Sequence, residues 1–246
     1  MLLERLYPRP GQVEAAEALD HLDLGSRAPE GRPYVVLNMV ATLDGKAALD
    51  GTTRGLGGDT DRELFRQLRT QADAIMAGAG TVREERYGRA VKDQALRAKR
   101  EQEGLAPEPV TVIVSASMNL PVDLPILQAE GAPVIVATGA EGELEGTAAE
   151  LSYLRIGTDL PVLFARLRQE HGIRSVLCEG GPTLNAHLLA AGLADELFLT
   201  LDPKLVGGAN ALTLVAGRQL PGPVQAELVG LLKGDDGLFF RWRLRS

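Results

Sequence analysis

The residues that could do chemistry gather at the ends of two apolar runs. Val176-Leu177-Cys178-Glu179-Gly180-Gly181-Pro182-Thr183-Leu184 reads as a buried strand that ends in a carboxylate and two glycines and opens into a helix. Glycine has no Cβ and accepts positive φ, so backbone there can approach a bulky ligand. Pro182 suits the first helical position, where a missing N–H costs nothing. The free N–H groups of such a first turn, with the helix dipole behind them, attract anions, phosphate above all. Ala74-Ile75-Met76-Ala77-Gly78-Ala79-Gly80-Thr81-Val82 repeats the pattern without the third glycine of the dinucleotide fingerprint. One such loop reads equally as a plain tight turn. Two, each at a strand end, favour a dinucleotide bound across strand ends.

Two carboxylates stand at strand ends, Glu179 and Asp44. Asp44 lies in Thr42-Leu43-Asp44-Gly45-Lys46, and Asp-Gly is a common turn pair, so a turn role competes with a catalytic one. Other chemistries find little support: there is no Gly-x-Ser-x-Gly elbow and no Walker loop. The single cysteine, Cys178, rules out an internal disulfide, and three scattered histidines offer no metal spacing. A net charge of −7 without a basic stripe argues against nucleic acid. No apolar run approaches a membrane span, and the start Met1-Leu2-Leu3-Glu4-Arg5 with Pro8 and Pro10 is not a targeting segment. A cytoplasmic protein with no membrane partner is expected.

The elements that must position these groups alternate. Residues 1–31 read as an N-terminal extension with a short amphipathic helix over Val13–Asp20, and 32–246 as a single domain. Apolar strands are expected at Tyr34–Val40, Ala74–Ala77, Val110–Val114, Pro133–Ala137 and Val176–Glu179. Helices are expected at Asp59–Thr70, capped by a Thr60/Glu63 box, at Pro161–Gln169 and at Pro182–Ala191. Val91–Glu103 reads as a solvated charged helix, and Gly139–Glu150 as an acidic loop. The end of the chain changes character, with strands at Glu196–Leu201, Val224–Val229 and Leu238–Leu244, the last two joined by the turn Lys233-Gly234-Asp235-Asp236-Gly237. The fold class expected is α/β, a mixed, mostly parallel central sheet with helices on both faces and a C-terminal antiparallel hairpin.

Taken in order, several segments form one set: Asn38 to Lys46, Leu68-Arg69, Ala72 to Val82, Glu179 to Leu184, Ala194 to Leu197 and Pro203 to Gly208. From about Pro33 onward this set resembles the pyrimidine reductase of riboflavin biosynthesis, the reductase half of the bacterial deaminase–reductase. Tyr7-Pro8-Arg9-Pro10-Gly11 and Arg83-Glu84-Glu85-Arg86-Tyr87-Gly88 look most like its stand-alone branch. The resemblance implies a dihydrofolate-reductase-like fold, NADPH, a homodimer and a small-molecule substrate. The implied reaction is hydride transfer to C1′ of the ribosyl group of 5-amino-6-(5-phosphoribosylamino)uracil.

It also implies roles. Gly78, Gly80, Thr81 and Val82 match the first cofactor loop, and Gly180, Gly181, Pro182, Thr183 and Leu184 the second. Ser115 matches a polar residue near the adenosine 2′-phosphate and reads equally as a turn serine. Thr42 and Asp44 match the edge where nicotinamide and substrate meet, with Asp44 orienting substrate or relaying a proton. Asn38 and Glu179 match pyrimidine and ribose contacts, so Asp44 and Glu179 are the catalytic candidates. Lys46 is either a phosphate ligand or a solvated lysine. No metal is implied. The bifunctional enzymes' substrate-phosphate arginine has no counterpart in Glu84-Glu85-Arg86-Tyr87-Gly88-Arg89, and Arg83, Arg86 and Arg89 are its candidate replacements. Two alternatives stay open: a reductase of the same fold acting on another pyrimidine or pteridine such as dihydrofolate, and a non-catalytic nucleotide-binding protein.

Overall fold

The computed structural model describes all residues except 50, 158, 209–211 and 246. In chain order the elements are β1 (Leu2–Tyr7), β2 (Gly11–Glu14), β3 (Tyr34–Thr42), α1 (Asp59–Thr70), β4 (Ala74–Gly78), α2 (Ala79–Glu84), α3 (Gln94–Gln102), β5 (Val110–Val114), β6 (Pro133–Thr138), β7 (Glu150–Arg155), α4 (Leu160–His171), β8 (Ser175–Cys178), α5 (Pro182–Ala190), β9 (Glu196–Asp202), β10 (Gln225–Gly234) and β11 (Gly237–Arg245). They fall into two compact units. The first takes Met1–Leu22, Val35–Leu68 and Pro182–Ser246, and the second Asp23–Tyr34 and Arg69–Gly181.

In the second unit five strands run parallel in the order β8-β4-β5-β6-β7. Strands buried on both faces are mostly apolar, as Val176-Leu177-Cys178 of β8 and Val112-Ile113 of β5 are. Val82, Ile113, Ile126, Leu127 and Val136 pack as a fully buried cluster. Asp73 ties the starts of β4 and β8 together: its carboxylate accepts the backbone N–H groups of Arg174 and Ser175 and the Ser175 hydroxyl, at 3.0, 2.8 and 2.8 Å.

The first unit orders six strands β2-β1-β10-β11-β9-β3, antiparallel except for the parallel pair β9–β3. β10 and β11 form the expected C-terminal hairpin, with Gly234 opposite Gly237 across the Asp235-Asp236 turn. Asp195 accepts the Val35 N–H at 2.7 Å, which sets β3 against the start of β9. Buried Glu196 takes a two-point hydrogen bond from Arg241 at 2.7 and 3.0 Å. The mixed α/β class is therefore the one observed. Among the described residues no helix is long and apolar enough to cross a membrane.

Four local expectations give way to tertiary structure. Val13–Asp20 is not a helix: Gly11–Glu14 pairs with β1, and the following residues form turns. Glu150–Arg155 is a six-residue edge strand, β7, beyond the acidic loop. The Thr60/Glu63 capping box does not form. Thr60 donates its N–H to Asp236 of the β10–β11 turn at 3.0 Å, while Glu63 binds Arg66 and Gln67. A carboxylate from far along the chain thus replaces the local cap.

The helix over 94–102 is not merely a solvated surface element, because Arg100 is fully buried. Its Nη1 donates to the carbonyls of Arg69, Thr70 and Ala72, and its Nε to that of Ala106. These carbonyls include ones left over at the end of α1, so the guanidinium serves as a C-terminal cap. Burial lowers its pKa to about 10, which keeps it charged at neutral pH. Arg100→Lys keeps the charge and loses the planar fork, and is expected to cost about 2 kcal/mol. The check is a lower urea midpoint with an unchanged m-value.

Candidate active site

The second unit brings the two glycine loops together at the ends of adjacent parallel strands. Gly78 donates its N–H to the Gly180 carbonyl at 2.8 Å, and Glu179 donates its own to Met76 at 2.9 Å. Gly180 has a φ of 89°, a conformation that favours glycine. A Cβ on Gly181 would stand 2.8 Å from Thr81 Oγ1, whereas one on Gly80 would project into open space. Val82 is buried beneath the loop in the apolar cluster. Ser115 follows β5 directly, one residue past Val114, the parallel partner of Gly78. It is buried, and its N–H is bonded to Ala137.

Glu179 closes the same strand, and its side chain is only 3 % exposed. Arg69 meets it with a two-point fork, Nε to Oε1 and Nη2 to Oε2, both 2.7 Å. The Tyr87 hydroxyl donates to Oε2 at 2.5 Å, and the Arg69 guanidinium lies 5.9 Å from the Tyr87 ring centre. Burial raises the Tyr87 pKa well above its ordinary value, with the Glu179 charge adding to the effect. The phenol therefore keeps its proton and serves as a hydrogen-bond donor. Burial of Arg69 opposes its charge, yet Glu179 overrides this and raises its pKa. Burial also pushes the Cys178 thiol up to about 12, which removes it as a nucleophile. Sequence reasoning named Glu179 and missed its two partners. Leu68-Arg69 and the 83–88 stretch held them, with no spacing rule to join positions so far apart.

The first unit holds the Asp44 turn. Thr42 is fully buried, and its hydroxyl donates to Asp44 Oδ1 at 2.6 Å while accepting the Lys46 N–H at 2.9 Å. The exposed Asp44 carboxylate also accepts the N–H groups of Val206 and Gly207, at 3.2 and 2.7 Å. Leu43 donates its N–H to the Lys204 carbonyl, so the turn and the 204–207 segment are laced together. These donors, the Thr42 hydroxyl first, lower the Asp44 pKa to about 2. Lys46 is half-buried. Asn38 sits four residues before Thr42 on β3 and lines a separate pocket of this unit. Pro182 opens α5 with Thr183 exposed and Leu184 buried, and Asn185 fastens the helix through a hydrogen bond to the Leu214 carbonyl at 3.0 Å.

Comparison with known proteins adds a consistent result. Residues 33–240 match the family model of the RibD C-terminal domain. A reductase of Methanothermobacter thermautotrophicus named for 2,5-diamino-6-ribosylamino-4(3H)-pyrimidinone 5′-phosphate is 34% identical over 192 residues, 76% of this chain and 85% of that protein. The protein of the same name from Archaeoglobus fulgidus is 30% identical over 191 residues, 76% of this chain and 87% of its own. A solved pyrimidine reductase-like protein from Corynebacterium diphtheriae shares the fold, with a TM-score of 0.72 and 23% identity over 95% of this chain and all of that one.

Proposed function

The chain belongs to the RibD C-terminal domain family, whose named relatives are reductases of riboflavin biosynthesis, and from that premise we propose that it reduces a phosphoribosylaminopyrimidine at C1′ with NADPH. The observation that carries this reading is the pair of glycine loops locked at the ends of β4 and β8, the strand ends where α/β sheets take nucleotides. The residues fit such a cofactor. Gly80 leaves open space where a side chain would otherwise stand, and the Thr81 hydroxyl makes no hydrogen bond among the described residues. Gly78, Gly80, Thr81, Gly180 and Gly181, followed along the chain by Pro182, Thr183 and Leu184, would hold the pyrophosphate, with Ser115 toward the 2′-phosphate. When bound, NADPH supplies the hydride.

The chain's own residues orient and polarise. As the hydride adds to C1′, the C1′–O4′ bond breaks and O4′ takes a proton. Asp44, lowered to about 2, is a carboxylate at neutral pH and orients the substrate instead of donating that proton. The Tyr87 proton is engaged by Glu179, so the reading assigns the proton on O4′ to solvent. Arg69 and Tyr87 hold the Glu179 carboxylate in place for its ribose contact, and Asn38 contacts the pyrimidine. The reading includes a cytoplasmic homodimer. The homodimer is supported by a half-exposed apolar sheet face on which Phe240 and Trp242 stack at 5.6 Å.

The test mixes purified protein with NADPH and either the 2,5-diaminopyrimidinone or the 5-aminouracil form of the substrate, with dihydrofolate in parallel. Loss of the reduced-nicotinamide absorbance with either phosphoribosylamino compound is the expected result, and the faster one names the physiological base. Turnover of dihydrofolate alone, or of none of the three, overturns the reading.

A further inference from the structure

Asp202 closes β9 as an almost fully buried carboxylate, 1 % exposed. Its partner across the parallel ladder is Thr42 of β3, whose hydroxyl holds Asp44. Asp202 Oδ2 accepts the Gly57 N–H at 2.7 Å and the Lys204 ammonium at 3.0 Å. Its Oδ1 is buried and has no hydrogen-bond partner among the described residues. Two more carboxylates crowd the same turn: a Cβ on Gly57 would run into Asp61, and one on Gly58 into Asp236. Burial raises the Asp61 pKa, and the charges of Asp236 and Asp202 raise it further. A buried charge with an orphaned oxygen beside two other acids weakens a fold. Costs of this kind collect where function requires them.

The surrounding geometry shows what Asp202 holds. Lys204 also donates to the Gly55 carbonyl at 2.7 Å, so the Asp202–Lys204 pair joins the 55–57 turn to the start of the 204–207 segment. The far end of that segment offers the Val206 and Gly207 N–H groups to Asp44. The Lys204 carbonyl accepts the N–H of Leu43, the chain neighbour of Asp44, at 2.9 Å. We propose that Asp202 and Lys204 are positioning residues for Asp44: their ion pair braces the 204–207 segment against the 55–57 turn and keeps its two N–H donors on the Asp44 carboxylate. The role of Asp44 toward substrate rests on the reductase reading.

The test compares the full-length wild type with Asp202→Asn, which keeps the shape and removes the buried charge, and with Lys204→Met, which removes the ammonium at an exposed position. Each variant is expected to lose roughly 10-fold in kcat/KM on the phosphoribosylaminopyrimidine, assayed well below its melting temperature. In an Asp44→Asn background the same changes should add less than about threefold, because the brace acts through Asp44. The second readout is the Asp44 carboxyl titration followed by NMR. It should rise from about 2 toward the ordinary 3.8 in both variants as the N–H donors leave. Asp202→Asn is decisive here. Loss of a neighbouring negative charge would by itself lower the Asp44 pKa, so a rise reports the lost donors. If Asp202→Asn does not fold, Lys204→Met and the Asp44→Asn background carry the test. An Asp44 pKa that stays or falls in Asp202→Asn, or a 10-fold loss that persists in the Asp44→Asn background, overturns the proposal and leaves the reductase reading intact. If the wild type reduces no phosphoribosylaminopyrimidine, that reading fails, and the titration alone decides the brace.

Discussion

Glu179→Ala is expected to melt roughly 8–16 °C below the wild type, from a loss of about 4 kcal/mol spread over a chain of this size. Its side chain is 3 % exposed and that of Arg69 18 %, so water cannot stand in for the missing carboxylate. Removing it leaves the Arg69 guanidinium uncompensated and the Tyr87 hydroxyl without its acceptor, both in a low-dielectric setting. The double variant Arg69→Ala with Glu179→Ala should be more stable than Glu179→Ala alone, since a neutral hole costs less than a stranded charge. Activity should follow geometry. Assayed well below its melting point, Glu179→Ala should still lose about 100-fold in kcat/KM, the scale expected when a catalytic set is misplaced by an ångström. A variant that melts within about 2 °C of the wild type would show that the Arg69–Glu179–Tyr87 cluster does not anchor the strand end.

That cluster shows where sequence reasoning reaches and where it stops. Glu179 was legible because it borders two glycines at a strand end, and local chemistry marks such places. Arg69 and Tyr87 were not, since their meeting depends on how the end of α1 and the segment after α2 reach the end of β8. The parallel strands and the C-terminal hairpin were readable from apolar runs and from Gly234-Asp235-Asp236-Gly237. Three misreadings share a cause. Thr60 looked like the partner of Glu63, and Asp236 took that place from the far end of the chain. Arg100 carried the charge of a surface residue, and four carbonyls drew it inside. Val13 to Asp20 had helical spacing, but pairing of β2 with β1 supplied a competing ladder for its first residues. In each case a tertiary or strand-pairing contact outweighed a local preference of about 1 kcal/mol.

Asp44→Asn is expected to lower kcat/KM at least about 100-fold with little change in melting temperature. The carboxylate is exposed, so its loss strands no buried charge. What it does is gather three donors: the Thr42 hydroxyl and the N–H groups of Val206 and Gly207. Asparagine offers one oxygen to those donors and turns an N–H₂ group toward the rest, so the 204–207 segment is released from the turn. Asp44→Glu separates position from charge. It keeps the carboxylate but moves it by about one carbon–carbon bond, and should also lose about 100-fold if position is what matters. Acid dependence follows from the lowered pKa. The ordinary carboxyl titrates near 3.8 and the clamped one near 2, so the clamp is whole above pH 4 and fails only as pH falls through the lower value. The wild-type rate profile should then show no limb from Asp44 between about pH 4 and 9. A general acid at this position would need a pKa near the working pH, and would show an alkaline fall in kcat that disappears in Asp44→Asn. Full activity in Asp44→Glu together with such a fall would reverse the assignment, making Asp44 the proton donor to O4′ instead of the group that holds the turn in place.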